Sequence, residues 1–233
     1  MKQSLSTVPP ASREGPILRD HVYDRIRTAL MLGHFMAGQK LVIRQLASEY
    51  ETSLTPVRES LRRLVAEGVL EGEPNRSVRV PPMTGAKIRE LRDIRIAVEG
   101  LAVARAAERI TPEEVAELRR RADAVVVARD QGDLEADVTK LGEFQLGVYR
   151  ASAMPHLIRI IESLWLQTGP YLKLLYPKYI DTVMERRGDW RGRILDALEA
   201  HDAATARHEI EIDLDDALGY LITLVDAAEA IRS

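Results

Sequence analysis

The chain has 233 residues, 45 % hydrophobic and 30 % charged, with a formal net charge of −3. That is a soluble globular composition with room for one large domain or two smaller ones. Cysteine is absent, which excludes disulfides, Cys-ligated zinc and thiol nucleophiles and suits a reducing cytoplasm.

The first 16 residues, MKQSLSTVPPASREGP, lack the continuous apolar core of a signal peptide and read as a flexible arm. Residues 17–32 predict a helix, with Ile17, Val22, Ile26, Ala29 and Leu30 as its stripe and Gly33 as its end. GHFMAGQKL reads as a turn, and a short helix over 44–50 turns Leu46 and Ala47 inward. In SLTPVRESLRRL, Thr55 reads as an N-cap and Pro56 as the first helical residue. Val57, Leu61, Leu64 and Val65 share one apolar face of that helix, Arg58 and Arg62 share another, and Gly68 closes it. A short helix, a tight turn and a second helix with an exposed basic N-terminal half form a helix-turn-helix, whose second helix enters the DNA major groove. Residues 69–71 and 77–80 read as two strands around the polar tip GEPNR, a wing that would bring Asn75 and Arg76 to the minor groove or a phosphate.

PPMT then breaks the chain. A DNA-binding domain is expected at 17–82 and a second domain at 83–233. Charge divides the same way: residues 1–81 carry 12 Lys+Arg against 9 Asp+Glu, and the remainder 21 against 27. A mildly basic head on an acidic body suits a chain of which only the head meets a polyanion.

Beyond residue 84 nothing reads as strand. A long helix over 84–110 carries the stripe Ile88, Leu91, Ile94, Val98 and Leu101. TPEE opens the next with a cap, a proline and two acids. Further helices are predicted over about 134–153, from AMP to about 176 with a bend at Gly169-Pro170, over 180–200 and over 203–231. The fold class is mainly α: a winged helix-turn-helix followed by an all-helical antiparallel bundle. No apolar run reaches the roughly 18 residues of a membrane span.

LVIRQLASEYETSLTPVRESLRRLVAEGVLEGEPNRSVRV resembles the DNA-binding domain of the GntR family of bacterial transcription regulators. LRDIRIAVEGLAVARAAER and ASAMPHLIRIIESLW resemble the helical effector domain of its FadR/FCD subgroup. The resemblance implies a homodimeric regulator that binds a near-palindromic operator and answers to a small metabolite, often a carboxylate. By position it implies DNA contacts from Arg44, Ser53, Thr55 and Arg58, with Arg62 on the same helix face, and from Asn75, Arg76 and Ser77 at the wing. Two positions depart from the family pattern: Leu54 stands where arginine is usual, and Ser77 where glycine is.

The resemblance further implies an effector cavity faced by Arg95, although a structural salt bridge to a carboxylate on a neighbouring helix would explain that arginine equally. Many members of the subgroup hold a divalent metal with one Asp and three His. Those positions fall here on Leu141, Gln145, Arg191 and Asp213. Leucine cannot ligate, and arginine has no lone pair to give. His201 and His208 are seven apart, about 10 Å along a helix, too far to share an ion. The expectation is a domain without metal or other cofactor. In it Arg191, helped by Arg95, anchors an anionic effector, Gln145 and Tyr149 add neutral hydrogen bonds, and Asp213 either orients Arg191 or pairs with it when the site is empty; the rival is that Arg191 and Asp213 form only a structural ion pair. The aromatics Trp165, Trp190, Tyr149, Tyr171, Tyr176 and Tyr179 gather in the same region, Trp165 as core and Tyr149 as the pocket candidate.

The functional expectation is a cytoplasmic transcriptional regulator, a repressor of a metabolic operon, that binds operator DNA as a homodimer without touching a membrane. An effector-independent DNA-binding protein is the alternative. An enzyme is a rival without support in the residues: there is no nucleophile elbow, phosphate loop or HExxH.

Overall fold

The computed structural model describes residues 14–73, 77–175 and 187–232. The N-terminal arm, the wing-tip residues Asn75 and Arg76, Tyr176, Tyr179 and the expected helix start near Ile180 fall outside these. The chain packs as two compact units. Among the described residues, one unit holds those up to Thr28 together with those in Gln39–Val80; the other holds Ala29–Gly38 and those from Pro81 on.

In the first unit, α1 (Glu14–Met31) turns Val22, Tyr23 and Ile26 into the core. After it come β1 (Lys40–Leu41), α2 (Ile43–Glu49), α3 (Leu54–Ala66), β2 (Glu71–Gly72) and β3 (Val78–Arg79). The sheet order is β1-β3-β2, antiparallel throughout, with Leu41 opposite Val78 and Gly72 also opposite Val78. β1 lies in the segment read as a turn. Its alternation explains it: Leu41 is buried while Lys40 faces solvent and pairs with Glu73 at 3.3 Å. α3 begins two residues earlier than its sequence suggests. Ser53 holds the N-cap position with extended backbone, Thr55 is the second helical residue and Pro56 the third. Proline is tolerated there because no N–H of the first turn has an intrahelical partner. Val57, Leu61 and Leu64 are fully buried, and Gly68, at φ +72°, takes the left-handed turn that ends the helix.

The second unit is helical: α4 (Gly85–Ala107), α5 (Pro112–Asp130), α6 (Leu134–Arg150), α7 (Pro155–Thr168), α8 (Leu172–Leu175), α9 (Trp190–Glu199) and α10 (Ala203–Arg232). Thr111 and Glu114 close a reciprocal capping box at the start of α5. Gly169-Pro170 is not a bend in one helix. α7 ends, and a 3-10 turn over Gly169–Tyr171 leads into α8. A Cβ on Gly169 would stand 2.2 Å from the Leu30 carbonyl oxygen, so only glycine fits.

The stripe predicted on α4 is displaced by one residue. Ile94 is 39 % exposed, whereas Arg95 and Glu99 are buried beside Ile88 and Leu91. The helix turns its charged pair inward because the pair finds partners there. Its small residues Gly100, Ala102 and Ala106 also let α10 come close, with Glu211 3.0 Å from where a Gly100 Cβ would be. Two apolar clusters result. One joins Ala102, Val103, Leu118, Phe144, Ile161, Trp190, Ile194 and Ile210 across α4, α5, α6, α7, α9 and α10. The other joins Ile88, Tyr171, Leu175, Leu218 and Leu221. Along α4, Arg95 and Glu99 lie between the two.

Candidate functional site

α3 presents an exposed, hydroxyl-bearing surface with two arginines, and the acid Glu59 is exposed beside Arg58. Ser53, Thr55, Arg58 and Arg62 are exposed, as is Arg44 on α2. Ser53 makes no cap bond with its side chain, and the first turn carries no acid. The helix start therefore offers N–H donors and positive dipole to an anion. At the wing, Ser77 donates to Glu73 at 3.0 Å, and Arg79 pairs with Glu71 at 2.9 Å. Lys40, Ser77 and Arg79 hold the Glu73 carboxylate below its usual range, the hydrogen bond from Ser77 being the largest cause.

The second unit buries a polar layer. Glu99, with 0 % exposure, accepts from three side chains: Arg95 Nε at 2.6 Å, Tyr149 Oη at 2.7 Å and Trp165 Nε1 at 3.1 Å. Arg95 also donates from Nη1 to Thr168 Oγ1 at 3.2 Å. The Arg95 salt bridge is therefore with its own helix, one turn on, and not with a neighbouring one. Burial opposes its charge, but the Glu99 carboxylate more than compensates and keeps Arg95 protonated. Burial, reinforced by Glu99, pushes the Tyr149 phenol well above its ordinary range, so it remains a neutral donor.

The layer continues around Asp213 on α10. Gln145 Nε2 donates to Asp213 Oδ2 at 3.4 Å. Asp213 does not pair with Arg191 as the sequence suggested. Its facing cation is Arg187, whose Nη1 lies 3.6 Å from Oδ1, inside ion-pair range but beyond a hydrogen bond. Arg187 also donates to the carboxylate and the carbonyl of Glu209, at 3.1 and 3.2 Å. Burial raises the Asp213 carboxyl to about 7, against the pull of Arg187, Arg191 and Arg95.

Arg191, in the first turn of α9, is only 7 % exposed, and its Nη1 meets no acceptor. Beside it in sequence, the Trp190 indole N–H is equally orphaned. Burial lowers the Arg191 pKa and the Arg129 cation lowers it further. Arg129 itself is held by Asp137 in a two-pronged pair, both bonds 3.0 Å.

Residues 18–80 match the family described as "Bacterial regulatory proteins, gntR family", and residues 90–216 match the "FCD domain". The chain belongs to the GntR family. An Escherichia coli K12 protein named "HTH-type transcriptional regulator McbR" is 33 % identical over 187 residues, 80 % of this chain and 85 % of that one. The solved structure of E. coli McbR/YncC, 31 % identical, superposes with a TM-score of 0.83 over 89 % of this chain and 98 % of the other. A Paenarthrobacter nicotinovorans protein named "Probable D-xylose utilization operon transcriptional repressor" is 28 % identical over 81 % of this chain and 82 % of its own.

As a GntR regulator of the FCD type, the chain has a helix-turn-helix with a small sheet wing and a helical effector domain. No helix among the described residues is long and apolar enough to cross a membrane. The four positions at which relatives carry metal ligands do not fit a cation here. Asp213 alone is an anionic donor, and it already faces the Arg187 guanidinium. Among the described residues no group of three or more His, Asp or Glu could hold a metal. His201, at the end of α9, instead places Nδ1 2.7 Å from the Ala107 carbonyl at the end of α4.

Of the residues singled out from sequence, Arg95 and Tyr149 meet at Glu99, Gln145 meets Asp213, and Arg191 stands without an acceptor for Nη1. Sequence reasoning missed Glu99, Thr168, Arg187 and Asp137. Glu99 had a visible signal: a lone acid four residues after Arg95 in the otherwise apolar run IRIAVEGLAVA. Arg187, in ERRGD ahead of α9, had none.

Proposed function

We propose that this GntR regulator is a cytoplasmic homodimeric repressor of a metabolic operon. The N-terminal half of α3 reads each half of a two-fold operator, and Arg44, Ser53, Thr55, Arg58, Arg62 and the wing position its backbone. A small carboxylate bound in the helical unit, without metal, changes the grip. The observation that carries the effector reading is the buried Arg191, whose Nη1 has no acceptor. A buried donor costs stability unless something accepts from it. A guanidinium keeps its charge and matches a carboxylate with two parallel bonds. The Trp190 N–H adds a neutral donor, and Asp213, whose carboxyl burial raises to about 7, adds an O–H whenever it holds its proton. Support for repression comes from the D-xylose relative, whose name contains the word. Support for a dimer comes from geometry: one recognition helix spans too few base pairs for genomic specificity.

The test is thermal stabilisation of the purified protein by a panel of carboxylates, with native mass spectrometry of what co-purifies. A carboxylate that stabilises the wild type and releases selected operator DNA, but does neither in Arg191→Met, is the expected result. Stabilisation that survives Arg191→Met, or stoichiometric divalent metal by elemental analysis, would overturn it.

A further inference from the structure

We propose that Leu54 is a specificity residue: it reads the C5-methyl group of a thymine in each operator half-site. The proposal rests on α3 being the helix that enters the major groove.

Leu54 is the first residue of α3, three before Val57 on the same side of the helix. Its spacing to Val57, Leu61 and Leu64 would make it core. Yet those three are at most 1 % exposed, while Leu54 is 40 % exposed. The first turn of α3 projects beyond the apolar core, and the leucine goes with it. Its neighbours are of another kind: Ser53 and Thr55 exposed on either side, Arg58 exposed one turn on and no acid in the turn. An isolated apolar side chain thus sits in the middle of the surface best suited to phosphate and base edges.

Single exposed leucines are common and need no explanation by themselves. This one differs by its place. In recognition helices the N-terminal residues face the base edges. The groove offers an apolar group only as the thymine methyl, which takes apolar side chains. A protein partner is the weaker reading. Among the described residues of the first unit, only Val42 and Leu54 are large exposed hydrophobics, far short of a docking patch. An uncharged, non-donating side chain cannot bond a guanine edge, so its position favours thymine over cytosine.

The experiment selects binding sites from randomised duplexes with the full-length protein. In the selected duplex each thymine is then replaced, one symmetric pair at a time, by uracil, which removes the methyl group and nothing else. Affinity is read by fluorescence anisotropy at fixed salt. Wild type should lose about fourfold per half-site at one position, from one buried methyl-sized group. Leu54→Ala should bind thymine and uracil duplexes alike at that position. Leu54→Gln should lose the thymine preference altogether, with circular dichroism checking its fold. Uracil replacements that act equally on wild type and Leu54→Ala, or on neither, overturn the assignment of Leu54 while the reading of α3 stands. Failure of the full-length protein to enrich any sequence removes the reading of α3, and this proposal with it.

Discussion

Arg187 Nη1 lies 3.6 Å from Asp213 Oδ1, and Arg191, four residues later, has no ion-pair partner among the described residues. The two arginines therefore respond oppositely to removal. Arg187→Met takes from Asp213 its facing cation and leaves Glu209 with Arg193 alone, and should cost about 1–3 kcal/mol. Arg191→Met removes an unanswered buried cation and should stabilise the protein without effector, by about 1–3 kcal/mol. Urea unfolding of both variants measures the two signs. Equal destabilisation would mean that Arg191 has a partner in the apo protein.

Glu99 is the most connected group in the polar layer. Glu99→Ala leaves the Arg95 guanidinium, the Tyr149 hydroxyl and the Trp165 indole N–H without their shared acceptor. The cost should be about 3–5 kcal/mol. Arg95→Met combined with Glu99→Leu should cost far less than the sum of the single changes, since an apolar pair of similar volume leaves no charge behind. A double-mutant cycle by thermal or urea unfolding reads the coupling.

The Asp213 carboxyl titrates at about 7 in the folded chain, against 3.8 as its ordinary value. Between these values the folded state holds a proton that the unfolded state has lost. Its stabilising effect is therefore complete below the lower value and disappears as pH rises through about 7. Wild type should lose stability from this group steadily between about pH 4 and pH 7, by roughly 1 kcal/mol per pH unit, and the loss should level off above about pH 8. Asp213→Asn should flatten that part of the profile. The measurement is the difference between the two Tm–pH curves, and a parallel pair of curves would refute it.

Gly169 touches the end of α1 at backbone level. Gly169→Ala forces a Cβ to within 2.2 Å of the Leu30 carbonyl oxygen and 2.7 Å of the Met31 Cα. Neither neighbour is a side-chain tip that can swing away. The substitution should cost about 3 kcal/mol or more, read as a fall in Tm. An unchanged Tm would mean that α1 and the 3-10 turn separate freely.

Arg58 is exposed on α3 and needed by nothing in the core. Arg58→Ala should leave the circular dichroism spectrum and Tm unchanged while weakening binding to a selected operator by about 1–3 kcal/mol per half-site. Gel shift against wild type decides, and an unaltered shift removes Arg58 from the DNA contacts.

Local chemistry made much of this molecule legible in its sequence. Thr111, Pro112 and Glu114 specify a helix start by themselves, because a capping box is satisfied within four residues. Val57, Leu61 and Leu64 specify which way α3 faces, since a basic surface cannot be buried with them. Gly68 specifies where it ends. The two-stranded tip after α3 was legible for the same reason, although its third strand, β1, was not: two residues of pairing leave almost no pattern until Val78 supplies the partner.

What the tertiary structure decided lies where partners come from afar. Ile94 and Arg95 are neighbours on α4, and hydropathy alone turns the isoleucine inward. Arg95 is buried instead because Glu99, Thr168, Tyr149 and Trp165, up to 73 residues away, together satisfy the charged pair. The same holds for Asp213. Its sequence position suggested Arg191, one helix back, as its mate; packing gave it Arg187 and Gln145 and left Arg191 with a bare Nη1. Periodicity reports which face of a helix is apolar on average, whereas the choice of cation for a buried carboxylate depends on where segments distant in the chain bring their side chains together.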